Sequence, residues 1–469
     1  MHFKLRHLLL LGSLATPVVG VSQATDTLRL SLSDAITRAL RESDEIKLAS
    51  AAVDVTEAAV TVSRAAGLPV LRFSGNYTQV ERNARATIVG QIFGQNYNYT
   101  TNFNLSQPVF QGGRIIAGAR AAGDVRRAAR YGLADLRAII SINIQAAYLL
   151  VLLNRHLAEI QESNMKLAED RLALVQRLEA AGRAARYDVL RARVEKTNLE
   201  PGLIEARNNV QLALIELGRF LNVPTTRTLV LTSELDTAAV RNVARAIAAD
   251  SSRPPVRASL RAAESMLDAR HEGVRIARAD FLPTINAFFQ TGYTALPTTS
   301  GFPTVWGRTS EAACPAGSPA GRVCQNNGWY PDRSLGVQVT WFLFDGLRAK
   351  GNMNLAQAQE RVARTQLEQE RETVLTEQAR ALAEYSRAEA TYDAQRQNAE
   401  EAEEAFRIAS LRFERGLGTQ LEVTDAQLAL LTARSNAARG TVDYYLAAAE
   451  LARARGAQVP LPPTREISR

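Results

Sequence analysis

The sequence predicts a mainly α-helical protein with a transmembrane β part, built from two tandem copies of one long helical hairpin. Two stretches without proline, Gly113 to Ala181 and Leu347 to Arg415, are rich in Ala, Leu, Arg, Gln and Glu. Landmarks of the first stretch recur at a constant offset in the second. Segments in which apolar and polar residues alternate precede both stretches, and this period of two indicates β-strands.

The length of the two helical stretches limits the possible architectures. At about 1.5 Å per residue, nearly 70 helical residues would reach roughly 100 Å. Helices in ordinary domains average about a dozen residues, so helices this long need equally long neighbours. A pair of such rods in one chain predicts a tube.

The second copy is visible in the spacing of its landmarks. Gly112 and Gly182 recur as Gly346 and Gly416, and the separation is the same for both pairs. A constant offset over about 80 residues indicates a tandem duplication. We predict a signal peptide, a first repeat, a second repeat and a C-terminal tail, with boundaries at 1–24, 25–230, 231–458 and 459–469.

The N-terminal segment has the composition of a secretory signal peptide. Lys4 and Arg6 precede an apolar run from Leu8 to Val21, and Ser22-Gln23-Ala24 offers a small-residue cleavage site. We therefore expect the protein to leave the cytoplasm.

Composition argues against several functions. The net charge of +8 comes from basic residues interleaved with acidic ones along the helices, which predicts a solvated surface and no nucleic-acid partner. Outside the signal peptide, His156 and His271 are isolated in helical sequence, so no metal site is predicted. No catalytic triad, phosphate loop or dinucleotide fingerprint occurs, and we expect neither a cofactor nor an enzyme.

The most apolar stretch of the mature chain, Ile139 to Leu153, is too short for a membrane helix. It has about 15 residues and is interrupted by Ser141, Asn143 and Gln145, whereas a helix in lipid needs about 20 apolar residues. We predict a buried helix-packing seam here. If the protein enters a membrane, it does so as a β-barrel.

The first copy opens with a predicted helix. Leu32 to about Arg64 has amphipathic periodicity, with Ser31 or Ser33 as a cap and Asp34 in the first turn. The helix should end before Gly67-Leu68-Pro69, where the period changes from helical to two.

Four alternating segments predict strands, one hairpin in each copy. They run through Leu71–Thr78 and Asn96–Ser106 in the first copy, and through Ile285–Tyr293 and Leu335–Leu343 in the second. Tyr, Phe and Leu occupy one face and Asn, Thr, Ser and Gln the other. Strands of about ten residues with this chemistry favour a membrane barrel around a watery lumen.

The second hairpin has a longer loop that contains both cysteines of the chain. About 20 additional residues, rich in Pro and Gly, include Cys314 and Cys324. In an exported protein an isolated cysteine pair predicts a structural disulfide that closes a short loop.

A tight turn follows each long helix. In the second copy Gly416 can end one helix, and Thr419 with Glu422 forms a capping box that starts the next. In the first copy Ala185 replaces the capping hydroxyl, so its tip should be less well capped. Returning helices of about 35 residues are predicted at about Arg186–Leu221 and Gln420–Ala454.

These features together resemble one known family, the TolC-like outer-membrane efflux proteins. The residues that carry the resemblance are Leu30xLeu32xxAla35Ile36xxAla39Leu40, Leu68Pro69, Ser106Gln107Pro108Val109Phe110xGly112Gly113Arg114 and Gly416xxThr419xxGlu422Val423. The resemblance implies a homotrimer in which each protomer gives four strands to one 12-stranded barrel. Below the outer membrane, the long helices form a periplasmic tunnel that is closed at its tips.

The resemblance also implies a function and partners. An adaptor (membrane fusion) protein would meet the tips and couple the duct to an inner-membrane pump of the resistance-nodulation-division or ABC type. The protein would then be an outer-membrane exit duct for drug efflux or type I protein secretion. The alternative is a periplasmic coiled-coil adaptor or scaffold that never inserts in a membrane, but this would leave the four aromatic-bearing strands unexplained.

The tips supply the candidate site residues. For adaptor docking we expect Gly182, Gly416, Leu417 and Thr419, although the same residues could serve only as helix stops. Because Glu422 and Asp425 are three residues apart on one helix, threefold symmetry would assemble six carboxylates into a cation-binding ring. The alternative is that these acids simply interact with the helix dipole.

The first copy differs at the proposed gate. Asp188 is followed by Arg191 and Arg193, which could pair with Glu422 or Asp425 of a neighbouring tip. The resemblance implies a gate-locking arginine near a position that Gly418 occupies here. We therefore expect Arg191 or Arg193 to hold the entrance shut.

Overall fold

The computed structural model describes most of the chain after the predicted signal peptide. The described residues are 27–82, 97–249, 257–297, 301–303, 305–306, 328–457 and 461–466. The predicted signal peptide at 1–24 and the predicted disulfide between Cys314 and Cys324 lie outside these ranges.

Helices dominate the described residues. Eight α-helices are formed, α1 to α8, with bounds Leu32–Glu42, Asp44–Ala65, Arg114–Ala180, Arg186–Phe220, Thr237–Ala249, Ala258–Arg278, Arg348–Glu414 and Gln420–Ala454. Both long helices, α3 and α7, have 67 residues and begin at matching positions of the two copies. The predicted duplication of a long helical hairpin is confirmed.

The first predicted helix begins as expected. Ser31 Oγ accepts a hydrogen bond from the Asp34 N–H at 3.2 Å, and Asp34 Oδ2 accepts one from the Ser31 N–H at 3.3 Å. This reciprocal pair is a capping box, which satisfies amide groups that the first turn leaves without a helical partner.

The prediction of one helix from Leu32 to Arg64 was wrong, because the helix is interrupted at Ser43. Ser43 has an extended backbone with φ −60° and ψ 136°, so it ends α1 and precedes α2. Its buried hydroxyl donates to Glu45 Oε2, and its N–H donates to the Ala39 carbonyl at 2.9 Å. The N–H bond is the last i→i−4 bond of α1, and the hydroxyl bond ties the extended residue to the first turn of α2.

In the described residues nine strands, β1 to β9, have bounds Thr27–Leu30, Val70–Gln79, Tyr97–Gln111, Thr228–Leu231, Ser233–Leu235, Thr284–Ala295, Val305–Trp306, Gly328–Thr340 and Thr464–Glu466. The main sheet has the order β2-β3-β6-β8-β7, in which the first four strands are antiparallel and the two-residue β7 is parallel to β8. β2 pairs with β3 and β6 with β8, which confirms one hairpin per copy. The hairpins join through β3 and β6.

Three strand ends differ from the prediction. β8 begins at Gly328, seven residues before Leu335. β3 continues to Gln111, with a register shift between Pro108 and Phe110, because proline cannot donate to the ladder. β8 stops at Thr340 instead of reaching Leu343. The Trp341 indole instead donates to the Phe281 carbonyl at 3.2 Å, outside the ladder.

Alternation separates the two faces of the sheet. On one face Phe73 lies opposite Phe103, with ring centroids 4.8 Å apart, and Leu105 lies opposite Phe289. These side chains are exposed, as is Leu335 on β8. The other face is mostly Asn, Thr, Ser and Gln. An exposed apolar face of this size is what the predicted membrane barrel needs.

The main core lies at the middle of the long helices. Ile144, Tyr148 and Val151 of α3 are fully buried in one cluster with α1, β1, α5 and the C-terminal part of α8. The predicted buried seam at Ile139–Leu153 is therefore confirmed. α3 also contains an 18-residue window that is long and apolar enough to cross a membrane, and 44% of it is buried inside the protein. The short pairs β1–β4 and β5–β9, which periodicity did not predict, lie beside this core.

The helices pack side by side at two successive levels along the long axis of the protein. Nearer the sheet, α2, α3, α6 and α7 lie side by side in that order, and farther away the order is α4, α3, α8, α7. The long helices run through both levels, while shorter helices stack end to end beside them. One edge of the protomer is therefore α2 followed by α4, and the other is α7.

Candidate functional site at the helical tips

Two similar turns close the hairpins at the end farthest from the sheet. Gly182 and Gly416 have left-handed backbones, with φ of 67° and 74°. In each turn the glycine N–H bonds to the carbonyl three residues back at 2.9 Å, and the next N–H bonds five residues back at 2.8 Å. This is the Schellman motif, in which glycine avoids the steric cost of positive φ.

Each tip forms a different half of a capping box. In the second copy Thr419 Oγ1 accepts from the Glu422 N–H at 3.3 Å, so the hydroxyl half of the predicted capping box is confirmed. The Glu422 carboxylate accepts from the Thr419 hydroxyl at 3.3 Å and not from its N–H. In the first copy the Ala185 N–H instead donates to Asp188 Oδ2 at 3.1 Å. The first tip thus lacks the hydroxyl, as predicted, but Asp188 satisfies a different amide group.

The predicted docking residues lie at the surface of the tips. Leu417 is 69% exposed, and Gly182, Gly416 and Thr419 are exposed as well. Arg412 of α7 donates to the Leu417 carbonyl at 3.3 Å and lies 3.8 Å from Glu422 Oε2. These contacts order the turn, while the Leu417 side chain stays accessible.

The predicted gate residues are distributed over two helices. Glu422 and Asp425 are both exposed on the first turns of α8, and Arg193 is exposed on α4. Arg191 lies 3.7 Å from Glu195, one turn along its own helix. Within one protomer, therefore, Arg191 contacts a residue of its own helix and not Glu422 or Asp425.

The structure brings together a polar cluster that the sequence did not suggest. Arg171 Nη1 donates to Thr424 Oγ1 at 3.0 Å and lies 3.5 Å from Glu195 Oε2. Thr424 Oγ1 is 2.8 Å from Glu195 Oε1, and its proton can also reach the Gln420 carbonyl at 3.0 Å. We call Arg171, Glu195 and Thr424 the tip link, because they connect α3, α4 and α8.

Burial strengthens the tip link. The Arg171 side chain is only 10% exposed, and this burial lowers the pKa of its guanidinium, against which the charge of Glu195 acts. An ion pair this far from water loses little to screening, and removal of one partner leaves a buried charge. A second link, from the Gln427 amide to Asn164, joins α8 to α3 nearby, and both of its residues are buried.

No periodic pattern could have revealed the tip link. Arg171 and Glu195 belong to opposite arms of one hairpin, and Thr424 lies in the other copy. The matching residues of the other copy are Ala405 and Ala429 for Arg171 and Glu195, so the duplication gives no hint either. Within the described ranges, no group of three or more His, Cys, Asp or Glu side chains could hold a metal ion.

Comparison with known families assigns the class of protein. A profile of the outer membrane efflux protein family matches residues 35–223 and 256–457, which together make up most of the chain. The chain belongs to this family. Its place is the outer membrane and its activity is efflux, as predicted, whereas a periplasmic scaffold outside the membrane is not what this family comprises.

Individual relatives are distant but cover the chain. The solvent efflux pump outer membrane protein SrpC of Pseudomonas putida is 22% identical over 424 residues, which is 89% of this chain and 83% of SrpC. The toluene efflux pump outer membrane protein TtgI, also from Pseudomonas putida, gives the same values.

Solved structures share the fold. The outer membrane protein VceC of Vibrio cholerae superimposes with a TM-score of 0.71 at 20% identity, covering 92% of this chain and 97% of VceC. The CmeC outer membrane channel of Campylobacter jejuni gives 0.69 at 16% identity, covering 91% and 85%. The predicted fold class, mainly helical with a β part, is confirmed.

Proposed function

We propose that this outer membrane efflux protein is a homotrimeric exit duct for small apolar molecules. It would receive them from a periplasmic adaptor and an inner-membrane pump of the resistance-nodulation-division or ABC type. The names of its relatives, which belong to solvent and toluene efflux pumps, favour small-molecule efflux over protein secretion. The observation that carries the proposal is that each edge of the protomer is left open.

The sheet is open at both sides. β2 is one edge, and β8 is the other except where the two residues of β7 pair with its first residues. Unpaired backbone groups are costly in lipid, so a membrane sheet must close. Four strands cannot close alone, but three copies would supply twelve.

The helical edges are open in the same sense. On α2, Leu48, Val55 and Val62 are spaced seven residues apart and are 73%, 69% and 71% exposed. On α7, Leu355 and Val362 are also exposed with this spacing. Heptad spacing is typical of helices that pack along their length against a partner.

One contact between copies can cover all of these edges. β2 and α2 lie on one side of the protomer, and β8 and α7 lie on the other. The β8–α7 side of one copy can therefore meet the β2–α2 side of the next. A head-to-tail contact of this kind generates a ring when the rotation closes.

The tips would form the regulated entrance of the ring. Glu422 and Asp425 of three protomers would surround the axis, and Leu417 would offer an apolar contact to the adaptor. The tip link would hold α8 of each protomer against its α3 and α4, and so keep the entrance narrow. Arg191 or Arg193 could add a bond to the neighbouring tip.

The assembly is tested in mild detergent. We expect trimers by light scattering and a heat-dependent shift in gel mobility, because closure of the barrel is cooperative. Val55→Asp should weaken the trimer, since it places a charge in the α2 stripe, while Thr61→Asp on another side of α2 should not. A monodisperse monomer of the unaltered protein would overturn the proposal.

The acidic ring is tested by single-channel recording. Glu422→Gln combined with Asp425→Asn should abolish block by multivalent cations, because six carboxylates would be neutralised at once. If this double variant keeps the original block and cation selectivity, the two acids act only on the helix dipole and the ring is wrong.

A further inference from the structure

Two aromatic side chains lie on the polar face of the sheet: Phe288 of β6, and Tyr330 of β8, which lies three rows nearer the loops. Strand register places Phe288 opposite Ser106 of β3 and opposite Gly336 of β8. Ser106 in turn lies opposite Val70 of β2, so these four residues form one row across all four strands. The two rows on the loop side of it carry polar, charged or glycine residues: Arg72, Asn104, Gln290, Ser334, Ser74, Asn102, Gly292 and Asp332.

The polar face is the one that would line the duct. The opposite face carries exposed Phe73, Phe103, Phe289 and Leu335, which suit lipid. Phe288 points to the other side, because side chains of neighbouring residues in a strand alternate. Among the described strand residues on this side it is the one phenylalanine.

Gly336 leaves room for the Phe288 ring. A Cβ atom built at Gly336 would lie 2.7 Å from Phe288 Cζ and 2.9 Å from Cε1. The ring therefore rests over the glycine backbone, and any larger residue there would displace it. This position fixes the ring at the wall of the lumen, with its outer face directed away from the sheet.

We propose that Phe288 is a cargo-contact residue, which gives aromatic and other apolar molecules a place to bind inside a barrel that is lined mostly by polar side chains. The inference rests on the proposed function, since it needs the trimeric duct. Threefold symmetry would place three rings at one height. Twelve strands about 4.8 Å apart and tilted by about 40° enclose a circle roughly 24 Å wide at the backbone, so the rings line the wall without plugging it.

The chemistry favours aromatic cargo. An aromatic ring binds another ring by offset stacking or edge-to-face contact, and it also covers apolar surface from water. The two rows on its loop side offer such a molecule no aromatic or aliphatic side chain. Apolar cargo should therefore pause at Phe288, while small hydrophilic ions should pass unaffected.

Current block in a planar lipid bilayer tests this with two cations of equal charge. Tetraphenylphosphonium, added on the side of the β2–β3 loop, should block the purified trimer at about two- to tenfold lower concentration than it blocks Phe288→Thr. Tetraethylammonium should block both equally, because any acidic ring attracts the two cations alike. Phe288→Tyr should keep the preference, and Gln290→Thr, one row away on the same strand, should not change it.

A structural role alone gives a different result. If the ring only covers Gly336, Phe288→Thr will lower the temperature of trimer dissociation and leave both block concentrations unchanged, which overturns the inference. Gly336→Ala should alter the block by tetraphenylphosphonium while the ring is still present, because its Cβ displaces the ring. If the unaltered protein is monomeric or does not conduct, the proposed duct fails, and this inference fails with it.

Discussion

The two copies of the hairpin share the same backbone conformation but stabilise it with different side-chain contacts. At the bend into each long helix, Gly113 and Leu347 both have left-handed backbones, with φ of 83° and 68°. Only the second bend has a side-chain cap, in which the Ala349 N–H donates to Asp345 Oδ2 at 2.8 Å. The first bend thus depends on glycine, and the second tolerates strain beside a cap.

The same contrast appears where short helices stack end to end. We call the residue before α2 and the residue before α6 the first and second junctions. The first is Ser43, which makes local hydrogen bonds, and the second is Arg257, which is 8% exposed. Arg257 pairs with Glu377 of α7 and lies 3.6 Å from Asp135 of α3. Glu377 also pairs with Arg453 at the end of α8, at 3.3 Å.

Helix lengths and turn positions are shared by the two copies, while the side-chain bonds between helices differ. In both copies the returning helix ends on a Glu–Arg pair three residues apart, Glu216–Arg219 and Glu450–Arg453, each at 2.6 Å. Only the second pair is joined to a buried ion network. Each site that differs can therefore be changed without altering the shared backbone.

The largest effect is expected where the tips differ in apolar surface. Leu417 of the second tip follows Gly416 as Arg183 follows Gly182 in the first, so the two residues match. Leu417→Arg should abolish efflux in a drug-susceptibility assay, because it places a charge where the adaptor would bury an apolar side chain. Trimers should still form, and Arg183→Lys should transport normally. Normal transport by Leu417→Arg would remove Leu417 from the docking surface.

The tip link joins the first hairpin to α8, and the second copy has alanines at the positions that match Arg171 and Glu195. Breaking the tip link is expected to give the second largest effect. A hydrogen bond to a charged group contributes about 1.5–3 kcal/mol, so Glu195→Gln should raise the open fraction of the channel by about tenfold to a hundredfold. The measurement is the open probability in single-channel recordings. Glu200→Gln, on the exposed side of α4, is the control. An open fraction unchanged in Glu195→Gln would mean that the link does not close the entrance.

The sequence predicted the repeated backbone because its signals are local. Helix length followed from the absence of proline, the tip turns from Gly182 and Gly416, and the faces of the sheet from alternation. The tip link and the Arg257 network were not predictable, because their members are far apart in the chain. The break at Ser43 was missed for another reason, since serine also occurs within helices and only its hydrogen bonds distinguish the two cases.

The ion pairs among Arg257, Glu377, Asp135 and Arg453 should make the second junction, at Arg257, more stable than the first, at Ser43. Glu377→Gln removes the shared partner of two largely buried arginines, so we expect a loss of about 2 kcal/mol, below the range for a fully buried pair because Glu377 is 35% exposed. Thermal dissociation of the proposed trimer measures this. Glu384→Gln, which breaks an exposed pair with Arg387, should leave the dissociation temperature almost unchanged, because water screens that pair.

Acid should weaken the same junction. Burial raises the pKa of Glu377, but the hydrogen bonds and charges of Arg257 and Arg453 outweigh burial and hold the pKa below its usual value. A carboxyl whose pKa is lowered by folding stabilises the protein above its ordinary pKa, and this contribution is lost as the pH falls through the lowered one. The dissociation temperature should therefore fall less steeply in acid for Glu377→Gln than for the unaltered protein. Equal slopes would contradict the assignment.

The smallest effect tests the two bends by exchanging their residues. A left-handed backbone costs a non-glycine residue about 1–2 kcal/mol, whereas glycine loses about 0.4–1 kcal/mol more through the entropy of the unfolded chain. Because a Cβ at Gly113 would meet no atom within 4 Å, Gly113→Ala tests the backbone alone and should destabilise the trimer by about 0.5–1 kcal/mol. Leu347→Gly should stabilise it by a similar or smaller amount, since the lost side chain is 65% exposed. Opposite signs of the two shifts in dissociation temperature would show that the bends share a backbone and differ only in strain. A loss of stability in Leu347→Gly would mean instead that the leucine makes a contact in the assembled trimer, where α7 would meet the α2 edge of the next protomer.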